Sequence, residues 1–275
     1  MRACFCRLYP CNRDFRQCVP CPSGRDFDRN DISFRLCIVQ HLRQVCNQQR
    51  LSLIHIYTPE RIKKALGDSG LKASGAHIGL EELYDDKFEQ TVEFHKAIGN
   101  DVLVVPWIQP EKYNTYEKIK GTAEYFNNLA EKARTYGMTV GYHNHTDEYC
   151  SLPDMPGKTA WTALRELTVP EFLMQFDTGN ALCGKGDVNK EVLASAGRLQ
   201  IVHLKPYSVE CGYTTFIGAR NDDIDYKTIL PFMLGEGGTR TIVIEYSCKD
   251  LFPDMESMKI NIDGLIRNYG DLLEK

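Results

Sequence analysis

The chain has 275 residues, a formal net charge of −4, and 43% hydrophobic against 25% charged residues. That length suits one large α/β domain with a full core, and the even spread of both charge signs argues against a nucleic-acid surface. No apolar run approaches the ~20 residues that cross a bilayer and no export signal opens the chain, so the expectation is a cytoplasmic protein with neither membrane nor nucleic-acid partners.

Residues 1–56 stand apart from the rest. Seven of the eleven cysteines (Cys4, Cys6, Cys11, Cys18, Cys21, Cys37 and Cys46) fall there. Cys18-Val-Pro-Cys21 has the spacing of half a zinc site, but the other cysteines are too loosely placed to complete it. An odd count without an export signal argues equally against a disulfide framework. The segment keeps no period of 2 or 3.6. Its last six residues, Leu51-Ser52-Leu53-Ile54-His55-Ile56, resemble the translation of a transposase-end sequencing adapter. The expectation is a chimeric leader over 1–56 that lies outside the native fold, packs irregularly and supplies no ligand or catalytic group, followed by one domain over 57–275. Residues 32–38 and 51–56 are apolar enough for strands, yet neither has the polar-terminated ends seen downstream.

From Tyr57 the punctuation becomes regular. Thr58-Pro59-Glu60 reads as an N-cap with Pro at the first helical position. Leu71–Ile78 reads as a strand, and Phe88–Ile98 as a helix ended by Gly99. Asp101–Trp107 is a Val-rich strand of the kind buried on both faces. A long helix over 115–136 carries Ile119, Ala123, Phe126, Leu129, Ala130 and Ala133 on one side. The alternation continues with strand 138–145, helix 159–167, strand 172–176, helix 189–196, strand 199–204, helix 225–234, strand 240–245 and helix 255–273. Repeated βα units imply a parallel sheet. Six strands are recoverable, and counted back from the last helix they are the third to eighth of a (β/α)8 TIM barrel whose first two strands have no recognisable counterpart.

Four of these strands end in side chains fit for metal or proton chemistry: His143, Asp177, His203 and Glu245. The separations are 177−143 = 34, 203−177 = 26 and 245−203 = 42 residues, against roughly 30 residues per barrel unit. Each side chain thus lies about one unit after the last, at the strand end where barrel active sites are built. His, Asp, His and Glu together form a plausible divalent-metal set. Each has a plainer reading: Asp177 as a turn cap, His203 as a hydrogen-bonded core histidine. Glu245 is harder to explain away, since a buried carboxylate is costly unless paired or metal-bound. His143 and His145 are two apart and share one side of a strand, so either could be the ligand and the other touch substrate. Glu148 and Lys205 are candidate catalytic groups, an acid/base and an oxyanion-steadying cation. His77 and Trp107, at the third and fourth strand ends, are candidate substrate contacts, since an aromatic ring stacks on a sugar face. Gly184-Lys185-Gly186 is too short for a phosphate loop.

Residues 57–275 resemble the sugar phosphate isomerase/epimerase family, the xylose-isomerase-like TIM barrels. The matching segments are Leu71–Leu83 (LKASGAHIGLEEL), Gly141–Tyr149 (GYHNHTDEY), Phe176–Asp187 (FDTGNALCGKGD), Val202–Lys205 (VHLK), Gly218–Tyr226 (GARNDDIDY) and Val243–Glu245 (VIE). The resemblance implies one divalent ion (Mn2+, Zn2+, Co2+ or Mg2+) held at four strand ends where many relatives have Glu, Asp, His and Glu. Three positions fall on Asp177, His203 and Glu245. The first falls on His143, as in a subgroup carrying Tyr-His-Asn-His, which favours His143 over His145 as ligand. A neutral nitrogen there shifts preference from Mg2+ toward Zn2+, Co2+ or Mn2+ and removes a symmetric pair of Glu acid/bases. The resemblance further implies a small carbohydrate as substrate, a homo-oligomer, and isomerisation or epimerisation of a sugar, keto-sugar or polyol through an enediolate, with Glu245 as base. A lyase or dehydratase of a keto-sugar or inosose would use the same enolate. A truncated, non-catalytic barrel is the rival from another class. A nuclease would want more ligands and a basic groove.

Overall fold

The structure, a computed structural model, describes residues 57–246 and 254–273. The leader and the readings attached to it lie outside the described residues. Helix α1 (Pro59–Asp68) begins as expected, with the Thr58 hydroxyl accepting from the Arg61 amide at 3.4 Å. Strand β1 (Ala76–His77) is much shorter than the 71–78 run, and among the described residues it pairs only with the next strand. There follow α2 (Asp85–Ala97), β2 (Val102–Val105), α3 (Tyr116–Thr135) and β3 (Thr139–His143). The buried face of α3 is the predicted one, Ile119, Ala123, Phe126, Leu129, Ala130 and Ala133. Its basic last turn, Lys132 and Arg134, suits the negative end of the helix dipole.

After β3 the chain makes a feature the periodicity did not announce. β4 (Ser151–Leu152) and β5 (Met155–Thr159) form an antiparallel hairpin outside the main sheet. Thr159 then caps α4 (Ala160–Leu167) by accepting from the Thr162 amide. The remaining elements are β6 (Leu173–Gln175), α5 (Thr178–Cys183), α6 (Val188–Leu193), β7 (Ile201–Leu204), α7 (Tyr226–Leu234), β8 (Thr241–Ile244) and α8 (Asp254–Leu273). The short helix α5 was also unforeseen. It starts directly on Asp177, whose carboxylate caps it.

Six strands run parallel in chain order. β1, β2, β3 and β6 form one ladder and β7 and β8 another. An isolated parallel bridge between Asp177 and His203 joins them, with the His203 amide donating to the Phe176 carbonyl at 2.8 Å. The strands alternate inside and outside, as the two-residue period requires. Val102, Val104, Leu173, Ile201 and Val243 pack together within the curve of the sheet. Leu103, Val105, Val140, Met174 and Val202 join Phe126, Trp161, Leu164 and Leu230 in the larger core toward the helices. Among the described residues, no helix is long and apolar enough to cross a membrane.

Candidate metal centre

The inward-facing rows of four strands carry the site. Along β3 the row is Gly141 then His143; along β6 it is Leu173 and Gln175, then Asp177 just past the strand. Along β7 it is Ile201 and His203, then Lys205; along β8 it is Val243, then Glu245. Small or apolar residues fill the lower layer, and polar ones follow at the C-terminal ends. Gly141 is required there: an added Cβ would lie 2.5 Å from the Leu173 carbonyl oxygen, so only glycine lets β3 and β6 approach closely.

One ligand atom from each of His143, Asp177, His203 and Glu245 lies within 4.8 Å of the other three. The first three are buried, and the Glu245 side chain is 15% exposed. The four residues singled out in the sequence are therefore brought to one point at the barrel mouth. His145 does not join them. It lies beyond the end of β3, half-buried, its ring centroid 5.1 Å from that of His143.

Asp177 is held from both sides. Its backbone amide donates to the Asn144 side chain at 2.8 Å, and the Asn144 amide group donates back to its carbonyl at 3.1 Å. One carboxylate oxygen accepts from the Asn180 amide at 2.7 Å. The other oxygen is buried without a hydrogen-bond partner, and so is Nδ1 of His143. Burial pushes the Asp177 pKa up to about 7, against the lowering effect of Lys205. Burial likewise holds the His143 pKa well below the ordinary histidine value, helped by His203 and His77. A buried carboxylate and a neutral imidazole with unused lone pairs are the donors a divalent cation takes. The chemistry of this set fits a metal.

Glu245 is the most connected member. One oxygen contacts His203 Nδ1 at 2.7 Å, and the other accepts from Lys205 Nζ at 3.1 Å. Burial alone would raise its pKa, but the His203 hydrogen bond and the Lys205 charge outweigh that and hold it well below the usual carboxylate range. Its partners keep it ionised. Lys205 also donates to Asn180 Oδ1 at 3.0 Å and lies 4.7 Å from the centre of the Tyr213 ring.

Glu148 departs from expectation. It is fully buried rather than open to substrate. One oxygen accepts from the Tyr142 hydroxyl at 2.5 Å and the other from the His145 amide at 2.9 Å. Burial raises its pKa in spite of these donors. Its geometry fastens the turn that carries His145. His77 stands beside the group, stacked on His203 and hydrogen-bonded to Gln175. Trp107, just past β2, is 51% exposed. The glycines of Gly184-Lys185-Gly186 serve packing: a side chain at Gly184 would strike the Thr146 backbone, and one at Gly186 the Tyr149 ring. Sequence reasoning did not single out Asn144, Gln175, Asn180 or Tyr213. Asn144 and Asn180 were in view within the segments GYHNHTDEY and FDTGN, whose polar density was the available signal.

The sequence matches the xylose isomerase-like TIM barrel family over residues 43–268. The chain belongs to that family. The match begins inside the segment read as a leader. A sugar phosphate isomerase/epimerase from Parabacteroides distasonis ATCC 8503 is similar in structure, with a TM-score of 0.64 at 18% identity, over 80% of this chain and 78% of that one. An L-ribulose 3-epimerase gives a TM-score of 0.54 at 16% identity, over 79% and 80% of the two chains. The IOLI protein, whose crystal structure holds a zinc atom, gives 0.59 at 11% identity, over 87% and 94%. At these identities the likeness establishes the fold. No curated protein matches the chain. The fold is thus an α/β TIM barrel, of which the described residues form six wall strands in sequence order.

Proposed function

We propose that this xylose isomerase-like barrel is a divalent-metal-dependent isomerase or epimerase of a sugar, keto-sugar or polyol, working through an enediolate. The observation that carries the reading is the convergence of His143, Asp177, His203 and Glu245 at the strand ends, with ligand atoms within 4.8 Å of one another. These four would hold the ion, and a bound ion would supply Lewis-acid stabilisation of the oxyanion that develops on proton removal. Two imidazoles and two carboxylates lean toward Zn2+, Co2+ or Mn2+ over Mg2+.

The chain's own residues divide the remaining work. Glu245 is ionised and lies at the mouth, so it is the group to take a proton from a substrate carbon. Lys205, 3.1 Å from it, offers a fixed positive charge to oxygens developing nearby. Asn180 and Tyr213 hold Lys205 in place: the Tyr213 hydroxyl donates to Asn180 Oδ1 at 3.0 Å, the same oxygen that receives Lys205. Glu148 acts through His145, keeping that ring against His143. His77 and His145 border the group and are the near contacts for substrate hydroxyls, and Trp107 offers an exposed ring face for a sugar.

The test is turnover of a panel of ketoses, keto-glycosides and inososes with added Zn2+, Co2+, Mn2+ or Mg2+ in deuterated water. Metal-dependent deuterium incorporation at the carbon next to a carbonyl, with interconversion of isomers, is expected. Water loss or bond cleavage instead would assign a lyase, and no exchange with any ion would remove the enediolate reading.

A further inference from the structure

Strand β3 stops pairing with β6 at His143 and Gln175, yet the contact between the two segments continues through one side chain. Asn144 is fully buried, and its amide group faces the main chain of Asp177. Its Oδ1 accepts from the Asp177 N–H at 2.8 Å, and its Nδ2 donates to the Asp177 carbonyl at 3.1 Å, with a longer contact to the His145 carbonyl at 3.5 Å. These are the acceptor and donor that a paired strand offers, supplied by a side chain where the strand has ended. Asn180 closes the ring. Its backbone N–H donates to one Asp177 carboxylate oxygen at 2.7 Å, and its Nδ2 donates to the Asn144 carbonyl at 3.2 Å. On its far side Asp177 bridges to His203. Asp177 is thus fixed at its main chain and at one carboxylate oxygen, while the other oxygen is buried without a hydrogen-bond partner.

We infer that Asn144 is a positioning residue of the metal centre: it sets where Asp177 stands relative to His143, and so leaves a single Asp177 oxygen to take the ion. The inference rests on the metal-binding reading above. Asn144 follows His143 directly in the chain and grips Asp177, so one side chain spans the gap between two ligands on different strands. Other side chains fail there. Aspartate would set an oxygen against the Asp177 carbonyl, leucine has the shape without donor or acceptor, and glutamine is a methylene longer. Hydrogen-bond partners behind a ligand hold it in the orientation that a metal needs. Asn127 makes the same kind of contact away from the site. Its Oδ1 accepts from the Val169 N–H at 2.8 Å, and its Nδ2 donates to the Leu167 carbonyl at 3.0 Å. Those partners precede β6, at the end of the strand opposite Asp177, which makes Asn127 a matched comparison within the same chain.

The experiment is calorimetric titration of the full chain with Zn2+ and with Mn2+, beside thermal melts without metal, for wild type, Asn144→Leu and Asn127→Leu. Asn144→Leu is expected to bind both ions about 10–100-fold more weakly, the usual loss for a partner behind a ligand. Asn127→Leu is expected to melt at a lower temperature than wild type and to bind both ions as wild type does. Undiminished binding in Asn144→Leu, or an equal loss in Asn127→Leu, would overturn the inference and leave the four-residue site standing. Should Asn144→Leu not fold, a crystal structure of the zinc-loaded wild-type chain decides. Asp177 ligating through one oxygen, with the other still on the Asn180 amide and both Asn144 bonds intact, supports the inference. Ligation through both oxygens, or broken Asn144 bonds, overturns it. A wild-type chain that binds neither ion would overturn the metal-binding reading and this inference together.

Discussion

Glu245 and Asp177 are both buried carboxylates in one cluster, yet their surroundings push them in opposite directions. Glu245 has a lysine and a histidine against it and stays ionised; Asp177 has a backbone amide on one oxygen and nothing on the other. Glu245→Gln keeps the size and removes the carboxylate proposed as base. Solvent deuterium exchange at the substrate carbon is expected to fall by about 10²–10⁴-fold, the usual worth of a general base, with the circular dichroism spectrum unchanged. Undiminished exchange would take Glu245 out of that role. Asp177→Asn removes a charge that burial makes costly. The metal-free protein is therefore expected to melt at a higher temperature than wild type while binding Mn2+ more weakly. Calorimetric scans with and without chelator read both effects, and a lower metal-free melting temperature would contradict the first.

At the scale of elements, the site depends on how closely β3 and β6 approach. Gly141→Ala places a methyl group against the Leu173 backbone, which cannot yield as a flexible side chain would. The expected result is a loss of about 1–3 kcal/mol, typical of overpacking, together with weaker metal binding as His143 moves from Asp177. Urea unfolding alongside metal titration checks this, and wild-type stability in the variant would show that the strands can separate freely. The join between α2 and β2 is sensitive to pH. His95, in the last turn of α2, is buried and accepts from the Asn100 side chain at 3.0 Å. Burial lowers its pKa from 6.5 to about 4. Between those values the unfolded chain takes up a proton that the folded chain refuses, so stability is full above pH 6.5 and falls as the pH drops toward 4. The loss reaches about 3 kcal/mol. His95→Gln should flatten that slope in urea titrations at pH 7 and pH 5, and an unchanged slope would assign it to other groups.

For the whole molecule, the centre joins strands far apart in sequence. His143 and Glu245 sit on separate ladders, and the ladders meet at Asp177 and His203. An ion held by all four would therefore bind the two ladders together. Saturation with metal is expected to raise global stability, by about 2.7 kcal/mol when free ion is at 100 times Kd, and chelation should reverse it. A melting temperature indifferent to metal would mean that the four groups do not act as one site.

Much of this was legible in the chain itself. Parallel βα units, the inward apolar rows and the polar residues closing them follow from local periodicity, because a strand repeats every two residues and a buried strand must be apolar. Unit spacing was enough to propose that His143, Asp177, His203 and Glu245 meet. The hairpin β4–β5 escaped, because Met155–Thr159 is largely exposed and lacks the apolar alternation that announces a strand. Only the folded arrangement decided which residues of a motif face the site. His143 and His145 have the same spacing signal, but the strand ends at His143 and leaves His145 beyond it. Glu148 and Lys205 both read as candidate catalytic groups; packing buried both, setting one against Tyr142 and the His145 amide and the other against Glu245. The Glu245 pKa is set the same way: burial in its strand would raise it, and His203 in β7 and Lys205 just past it, 42 and 40 residues away, lower it. Periodicity is set by neighbours in sequence, whereas charge pairing and desolvation are set by neighbours in space, and for this centre those come from different strands.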